Sequence, residues 1–156
     1  MATVPELKAR LRTDLNSAMK ARDELTTATL RMTLTAVTND EVAGKVAREL
    51  SDDEVLRVIA REAKKRREAA EAYDAAGRDE LASRERAEGE VLDRYLPAQL
   101  DDNDLAALVR DAIAQAGATS PRDMGAVMRI VQPAVAGRAD GKRISDEVRR
   151  QLTSGQ

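Results

Sequence analysis

The 156-residue chain contains no cysteine, histidine, phenylalanine or tryptophan, and each absence excludes a class of site. Without cysteine there are no disulfides, thiol nucleophiles or thiolate metal sites. Without histidine there is no Ser-His triad, no histidine general base and no imidazole metal ligand. Only Tyr73 and Tyr95 supply aromatic rings, and without phenylalanine or tryptophan stacking on splayed nucleic-acid bases is largely unavailable. The chemistry that remains is that of carboxylates, basic side chains, hydroxyls and backbone.

Long apolar runs are also missing, both at the N-terminus and along the rest of the chain. A secretory signal needs a short apolar segment near the start, and a membrane span needs about 20 apolar residues. We therefore expect a cytoplasmic protein that makes no membrane contact. The net charge of -2 gives no overall attraction to nucleic acid, so such binding must come from a local patch.

Apolar residues recur at helical spacing throughout, and no segment alternates with the period of a strand. A core of Leu, Val, Ile, Met and Ala suits helix packing. The pattern predicts an all-α fold, with an N-terminal bundle of about four helices and a small C-terminal three-helix tail. Pro97 marks the boundary, which gives an N-terminal domain of residues 1–97 and a tail domain of residues 98–156.

Start and stop signals define the helices of the N-terminal bundle. The first two helices are predicted at about 5–22 and 25–42. The third starts at a capping box, in which Ser51 and Glu54 bond each other's amides, and ends near Ala75. The fourth is predicted at about 79–96, where Pro97 stops it.

The tail is predicted to contain three shorter helices. The first is capped by Asp101 or Asp102 and ends at Gly117. Ser120 and Pro121 open the second helix, which Pro133 is expected to break. The third is expected to open at Ser145.

Ionisable residues fall on the apolar faces of the bundle helices, where they are costly unless paired. Glu62 and Arg66 lie on this face of the third helix, Glu41 on that of the second and Glu88 on that of the fourth. One interpretation is an interhelical salt-bridge network that selects which helices meet. A second is a carboxylate metal bundle, but such bundles usually take Glu-x-x-His motifs, so we expect no metal. A third is a polar recognition surface.

The densest basic run, residues 64–67, cannot form one flat patch, because four consecutive residues spread around a helix. Lys64 and Arg67 are expected to face outward together. With glutamates on either side, they form a solvated face or contact phosphate.

The tail is a better candidate for binding an anionic partner. Residues 121–150 contain seven basic and four acidic residues, a local balance of +3. Gly137 and Gly141 bracket a basic loop whose backbone amides can approach a phosphate, or they simply turn the chain between two helices. The candidate contacts in this segment are Arg129, Arg138, Lys142 and Arg143.

Motifs in sequence order give the chain a strong resemblance to the stand-alone YqeY-type proteins of the GatB/YqeY family. In the N-terminal part they are Leu30-Arg-Met32, Asn39-Asp-Glu41, Ser51-Asp-Asp-Glu-Val55, Glu62-Ala-Lys-Lys-Arg-Arg-Glu68, Glu71-Ala-Tyr73, Ala76-Gly-Arg-Asp79, Tyr95-Leu-Pro97 and Gln99-Leu100. In the tail they are Ala116-Gly-Ala118, Asp123-Met-Gly125, Val127-Met128 and Gly137-Arg-Ala-Asp-Gly-Lys142.

The resemblance implies a helical bundle followed by a three-helix tail, related to the tail domain of the B subunit of aspartyl/glutamyl-tRNA amidotransferase. A similar module precedes some glutaminyl-tRNA synthetases. In the amidotransferase this tail helps to hold tRNA, while phosphorylation and amide transfer occur in other domains. This chain has no P-loop, no Gly-rich phosphate fingerprint and no amidase serine-lysine signature. The resemblance therefore implies RNA handling, without a cofactor and without catalysis by this chain alone.

Three hypotheses follow. The first is a non-catalytic module that contacts tRNA through the tail, with Lys64 and Arg67 as a second contact. The second is a protein adaptor for an amidotransferase or an aminoacyl-tRNA synthetase. The third is an accessory subunit of a carbon-nitrogen ligase that uses glutamine as its amide donor.

Overall fold

The structure is a computed structural model, and it describes residues 6–154. Within this range the chain forms seven α-helices, one short 3-10 helix and no strand, which confirms the predicted all-α class. The helices are α1 (Glu6–Lys20), α2 (Glu24–Glu41), α3 (Asp52–Ala75), α4 (Asp79–Asp93), α5 (Asp102–Ala116), α6 (Met124–Val135) and α7 (Gly141–Ser154), with the 3-10 helix at Pro121–Asp123. The predicted start of the first helix, Pro5, lies outside the described residues.

The chain divides into two compact units, Met1–Leu96 and Pro97–Gln156. We refer to them as the N-terminal unit and the C-terminal unit. Folding of residues 1–97 and 98–156 as separate domains stays a prediction.

In the N-terminal unit, α3 packs mainly against α4, and α1 packs against α2. The core is aliphatic and comprises Leu11, Leu30, Val37, Leu50, Val55, Val58, Ile59, Ala63, Val91 and Leu92. The sequence pattern places Leu81 on the inner face of α4, but its side chain is 39% exposed. The buried face of α4 is instead formed by Ala82, Glu88, Gly89, Val91 and Leu92.

The capping box at the start of α3 is confirmed. The Ser51 hydroxyl accepts a bond from the Glu54 amide at 3.3 Å, and the Glu54 carboxylate accepts one from the Ser51 amide at 3.3 Å. Arg48 pairs with the same carboxylate and is the main reason that the pKa of Glu54 is lowered to about 2. This end of the helix is therefore fixed by both backbone and side-chain bonds.

The C-terminal unit has a core with no ionised side chain among the described residues. It comprises Leu105, Val109, Ala112, Val127, Val131, Val135, Ala139, Ile144, Val148 and Leu152. Met124 and Met128 pack against it. Asp101 caps α5 by accepting a bond from the Asp104 amide at 2.7 Å, and Gly117 ends that helix in the left-handed region.

Two predicted helix boundaries in the C-terminal unit are wrong. Pro133 does not break α6, which continues to Val135. Proline cannot supply the amide that would bond the carbonyl of Arg129, four residues earlier. Since both residues are exposed, that missing bond lies on the solvent side of the helix, where it is tolerated.

The last helix opens at Gly141, four residues before the predicted Ser145. Asp140 provides the start, because its carboxylate accepts a bond from the Arg143 amide at 3.0 Å and its carbonyl accepts one from the Ile144 amide at 3.1 Å. The Ser145 hydroxyl donates to the Lys142 carbonyl inside the helix. In the N-terminal unit α4 is also shorter than predicted, ending at Asp93.

Candidate nucleic-acid interface

The predicted basic loop of the C-terminal unit is a tight turn between α6 and α7. Ala136 and Gly137 take φ values of 48° and 80°, in the left-handed region that ends many helices. Gly141 is not at positive φ and belongs to the first turn of α7, so only residues 136–140 lie between the two helices. The loop is thus shorter and more constrained than a pair of flexible glycines implies.

Arg138 is directed at its own backbone. Its Nε donates to the carbonyl of Val135 at 3.0 Å, and its Nη2 donates to the carbonyl of Ala134 at 2.8 Å. These are carbonyls of the last turn of α6, which have no partner within the helix. The guanidinium therefore caps α6.

Arg143 joins the start of α7 to the start of α5. Its Nη2 donates to the carbonyl of Leu100 and to the carboxylate of Asp102, both at 3.0 Å. The Leu100 amide in turn donates to the carbonyl of Arg138 at 2.8 Å. Arg138 and Arg143 thus hold residues 97–102 against the α6–α7 turn, and both engage protein acceptors that a phosphate contact would have to displace.

Lys142 and Arg129 are placed differently. Both side chains are exposed, and no carboxylate or carbonyl within residues 6–154 pairs with either one. Arg149 and Arg150, by contrast, pair with Asp146 and Glu147 on α7. Of the four tail candidates, Lys142 and Arg129 are those whose donors are available to an outside anion.

The two basic candidates of the N-terminal unit differ in exposure. Lys64 is half-buried on α3. Arg67 is exposed and lines a groove between α3 and α4 together with Arg86 and four carboxylates, those of Glu71, Glu85, Glu90 and Asp93. An anion entering this groove would meet more negative than positive charge, so Arg67 is a poor phosphate contact.

Glu62, Arg66 and Glu88 come together between α3 and α4. The Arg66 guanidinium lies 3.4 Å from Glu62, 3.6 Å from Glu88 and 3.4 Å from Glu85. Glu62 and Glu88 are only 7% and 6% exposed. One arginine therefore compensates three carboxylates, while Lys65 and Arg84 contribute from the surface.

Glu41 belongs to a separate pair with Lys8. The Lys8 ammonium donates to both Glu41 oxygens at 2.8 and 2.9 Å, and the Leu50 amide donates to the same carboxylate at 3.1 Å. The bond from Lys8 is the main reason that the pKa of Glu41 lies below its ordinary value of 4.5. The four residues proposed as one network are therefore split between two.

Lys8 is not among the network residues predicted from the sequence, although its helical spacing indicates a buried position. It precedes Leu11 by three and Leu15 by seven positions, so it falls on the apolar face of α1, and it is 8% exposed. Tyr95 was also missed, and its hydroxyl donates to Asp14 across 81 positions of sequence. No local pattern could have indicated that contact.

No group of three or more carboxylates within residues 6–154 is arranged to hold a metal ion. The carboxylates that converge, Glu62, Glu85 and Glu88, surround the cation of Arg66 instead. None of the helices in this range is long and apolar enough to cross a membrane.

Comparison with known proteins identifies the family to which the chain belongs. The chain is 33% identical over 97 residues to an uncharacterized protein of Schizosaccharomyces pombe, covering 62% of this chain and 76% of the relative. It is 30% identical over 99 residues to "Altered inheritance of mitochondria protein 41, mitochondrial" of Clavispora lusitaniae, covering 62% of this chain and 56% of the relative. The family described as "Yqey-like protein" matches residues 8–152. The chain therefore belongs to the YqeY-like family.

Proposed function

We propose that this protein is a tRNA-associated module without a reaction of its own, whose C-terminal unit contacts phosphates. The observation that carries the proposal is that Lys142 and Arg129 are exposed, with no protein partner among the described residues. They lie in a segment whose balance is +3 in a chain whose net charge is -2. Membership of the YqeY-like family, which resembles the tRNA-holding tail of the amidotransferase, supports the same function.

The contact would be electrostatic and independent of sequence. Lysine and arginine that neutralise phosphates release condensed counterions, so affinity falls as salt rises. Two such contacts give a shallow slope of the logarithm of affinity against the logarithm of salt, about -1.8 for a duplex. Binding would be modest, because only two phosphate contacts are proposed and the net charge is negative.

A matched pair of double variants tests the proposal by titration against bulk tRNA. Replacing both Arg129 and Lys142 with alanine should weaken binding of all tRNAs and remove most of the salt slope. Replacing Arg12 and Lys20 with alanine changes the net charge equally, on exposed positions of α1. Equal affinities of these two variants would remove the tail contact from the proposal.

A second candidate function, a protein adaptor, is favoured by the loop that follows α2. Val42 and Val46 are 58% and 78% exposed, in a loop held by the bond from the Arg48 amide to the Glu41 carbonyl at 2.9 Å. Exposed apolar side chains can form a docking point for a protein. Capture of an amidotransferase or synthetase from nuclease-treated lysate, lost in a Val42→Ser, Val46→Ser variant, would support the adaptor.

An accessory role in glutamine-dependent amidation is the remaining alternative, and it requires a catalytic partner. Addition of the protein to a reconstituted tRNA amidotransferase should then change the reaction rate, and an unchanged rate counts against this role. We propose the cytoplasm as the compartment of the tRNA contact. Cell fractionation with a tagged chain tests this, and recovery in mitochondria would contradict it.

A further inference from the structure

A cleft of about 370 Å³ lies within the N-terminal unit, between α1, the start of α2 and the end of α4. It shares no lining residue with the ion networks around Arg66 and Glu41. The apolar part of its wall is formed by small or buried side chains, Ala18, Ala21 and Val91. The other lining residues are Tyr95 and polar or charged side chains, and polar groups that converge on a cleft can fix the orientation of a small ligand.

Two carboxylates line the cleft, and both already have hydrogen-bond donors from the protein. Asp14 accepts a bond from the Tyr95 hydroxyl. Asp23 caps α2 by accepting bonds from the Thr26 amide at 3.1 Å and from the Thr26 hydroxyl at 2.7 Å, and these bonds lower the pKa of Asp23. Both carboxylates are therefore already hydrogen-bonded by the protein before any ligand binds.

Two arginines on the same cleft retain unused donors. Arg94 is exposed, and its side chain has no hydrogen-bond or ion-pair partner within residues 6–154. Arg10 lies over Tyr95, with its guanidinium carbon 4.8 Å from the ring centroid, and its Nε is 3.9 Å from Asp14. The Arg10 side chain remains 57% exposed, so part of this pair is accessible to solvent.

We propose that this cleft binds a nucleotide, with the phosphate held by Arg94 and the base stacked on the Arg10–Tyr95 pair. A guanidinium plane is a stacking surface for bases, and a second arginine supplies charge-assisted bonds to phosphate oxygens. The inference deepens the proposed RNA function, on which it rests, by adding a base contact in a chain that has no phenylalanine or tryptophan. A nucleotide of single-stranded RNA and a free mononucleotide share this chemistry.

Nuclear magnetic resonance of the full 17.0 kDa chain, titrated with AMP, tests the cleft directly. The amide signals of Ser17, Ala18 and Ala21 should shift together, and adenosine or inorganic phosphate alone should shift them less. Arg94→Ala should raise the AMP dissociation constant about tenfold, the effect of losing one charge-assisted bond. The control Arg12→Ala, on an exposed position of α1 outside the cleft, should leave it unchanged.

If neither AMP nor a short oligoadenylate shifts these signals, the proposed nucleotide site is contradicted. Equal effects of Arg94→Ala and Arg12→Ala would contradict it as well. Tighter binding of the oligoadenylate than of AMP identifies single-stranded RNA as the source, and equal binding identifies the free nucleotide. The tRNA titration separates this inference from the proposed function. Binding of tRNA that requires Lys142, without shifts by either AMP or the oligoadenylate, contradicts the nucleotide site alone, whereas such shifts without tRNA binding contradict the proposed function alone.

Discussion

The N-terminal unit buries ionised side chains, whereas every buried residue of the C-terminal unit within residues 97–154 is apolar. Lys8, Glu62 and Glu88 are 8%, 7% and 6% exposed, and all three belong to the N-terminal unit. In the C-terminal unit the charged groups lie at the edges, where Arg138 and Arg143 bond backbone carbonyls. The two units thus use the same residue types for different purposes.

The difference affects both stability and specificity. A buried ion pair stabilises little, but removing one partner leaves an unpaired charge in a poorly solvated place. The network around Arg66 therefore penalises any packing of α3 and α4 that separates its members. An apolar core carries no such penalty for separating charged partners. In the C-terminal unit the cations Lys142 and Arg129 are exposed, so binding of an anion to them would leave the core unchanged.

The largest expected effect is that of Arg66→Ala, which leaves Glu62 and Glu88 without their shared cation. We expect the free energy of unfolding of the N-terminal unit to fall by about 3 to 5 kcal/mol. Both tyrosines lie in this unit and the chain has no tryptophan, so tyrosine fluorescence during urea unfolding reports on it alone. Arg67→Ala, at the next and exposed position, should cost less than about 0.5 kcal/mol. Similar losses in both variants would contradict the buried network.

The second prediction concerns Lys8 and pH. Lys8→Met should lower the free energy of unfolding by about 2 to 3 kcal/mol at neutral pH, because Glu41 loses its main donor. The pKa of Glu41 is lowered on folding, so its contribution is present above 4.5 and is lost as pH falls through the folded value. Glu54 titrates in the same acid range in both chains, so the difference between their pH profiles isolates Lys8. Identical profiles would exclude the coupling.

The third prediction compares Arg138, which bonds backbone carbonyls, with Lys142, which is exposed. Arg138→Ala should destabilise the C-terminal unit by about 0.5 to 1.5 kcal/mol, because it removes bonds to two carbonyls at the end of α6. Lys142→Ala should leave stability unchanged and weaken tRNA binding. Circular dichroism and tRNA titration of both variants provide the comparison. If Arg138→Ala weakened tRNA binding without any loss of stability, Arg138 would be a phosphate contact after all.

The smallest expected effect is a gain. Gly89 is a buried helical glycine, and a Cβ built on it would lie 3.6 Å from the Cβ of Arg66, an ordinary van der Waals contact. Gly89→Ala should therefore stabilise the N-terminal unit by up to about 1 kcal/mol through helix propensity. Urea unfolding followed by tyrosine fluorescence measures the change. A loss of stability would mean that α3 and α4 pack too closely there to accept a methyl group.

The sequence predicts features that depend on neighbours along the chain. The helical class and the capping box at Ser51 follow from spacing alone, and both are present. Helical spacing also places Glu62 and Arg66 on one face, because positions four apart meet on a helix. It cannot say which helices meet, so it groups Glu41 with residues that lie in another network.

The sequence also does not predict the direction in which a surface side chain points. The spacing of Arg138, Lys142 and Arg143 gives no sign that two of them bond backbone carbonyls while the third remains exposed. The predicted start of α7 at Ser145 is wrong because Asp140 and Ser145 are both helix-capping residue types. Only the folded turn shows that Asp140 accepts the bond from the Arg143 amide and starts the helix. The contact between Tyr95 and Asp14 depends on how the bundle closes, which local patterns do not specify.

The most direct test of the proposed function is a titration of the purified chain against bulk tRNA at about 50 and about 200 mM salt. We predict micromolar binding at the lower concentration that weakens at the higher one, and that is reduced when Arg129 and Lys142 are both replaced by alanine. No binding at the lower concentration would contradict the tRNA module and would redirect attention to a protein partner at Val42 and Val46.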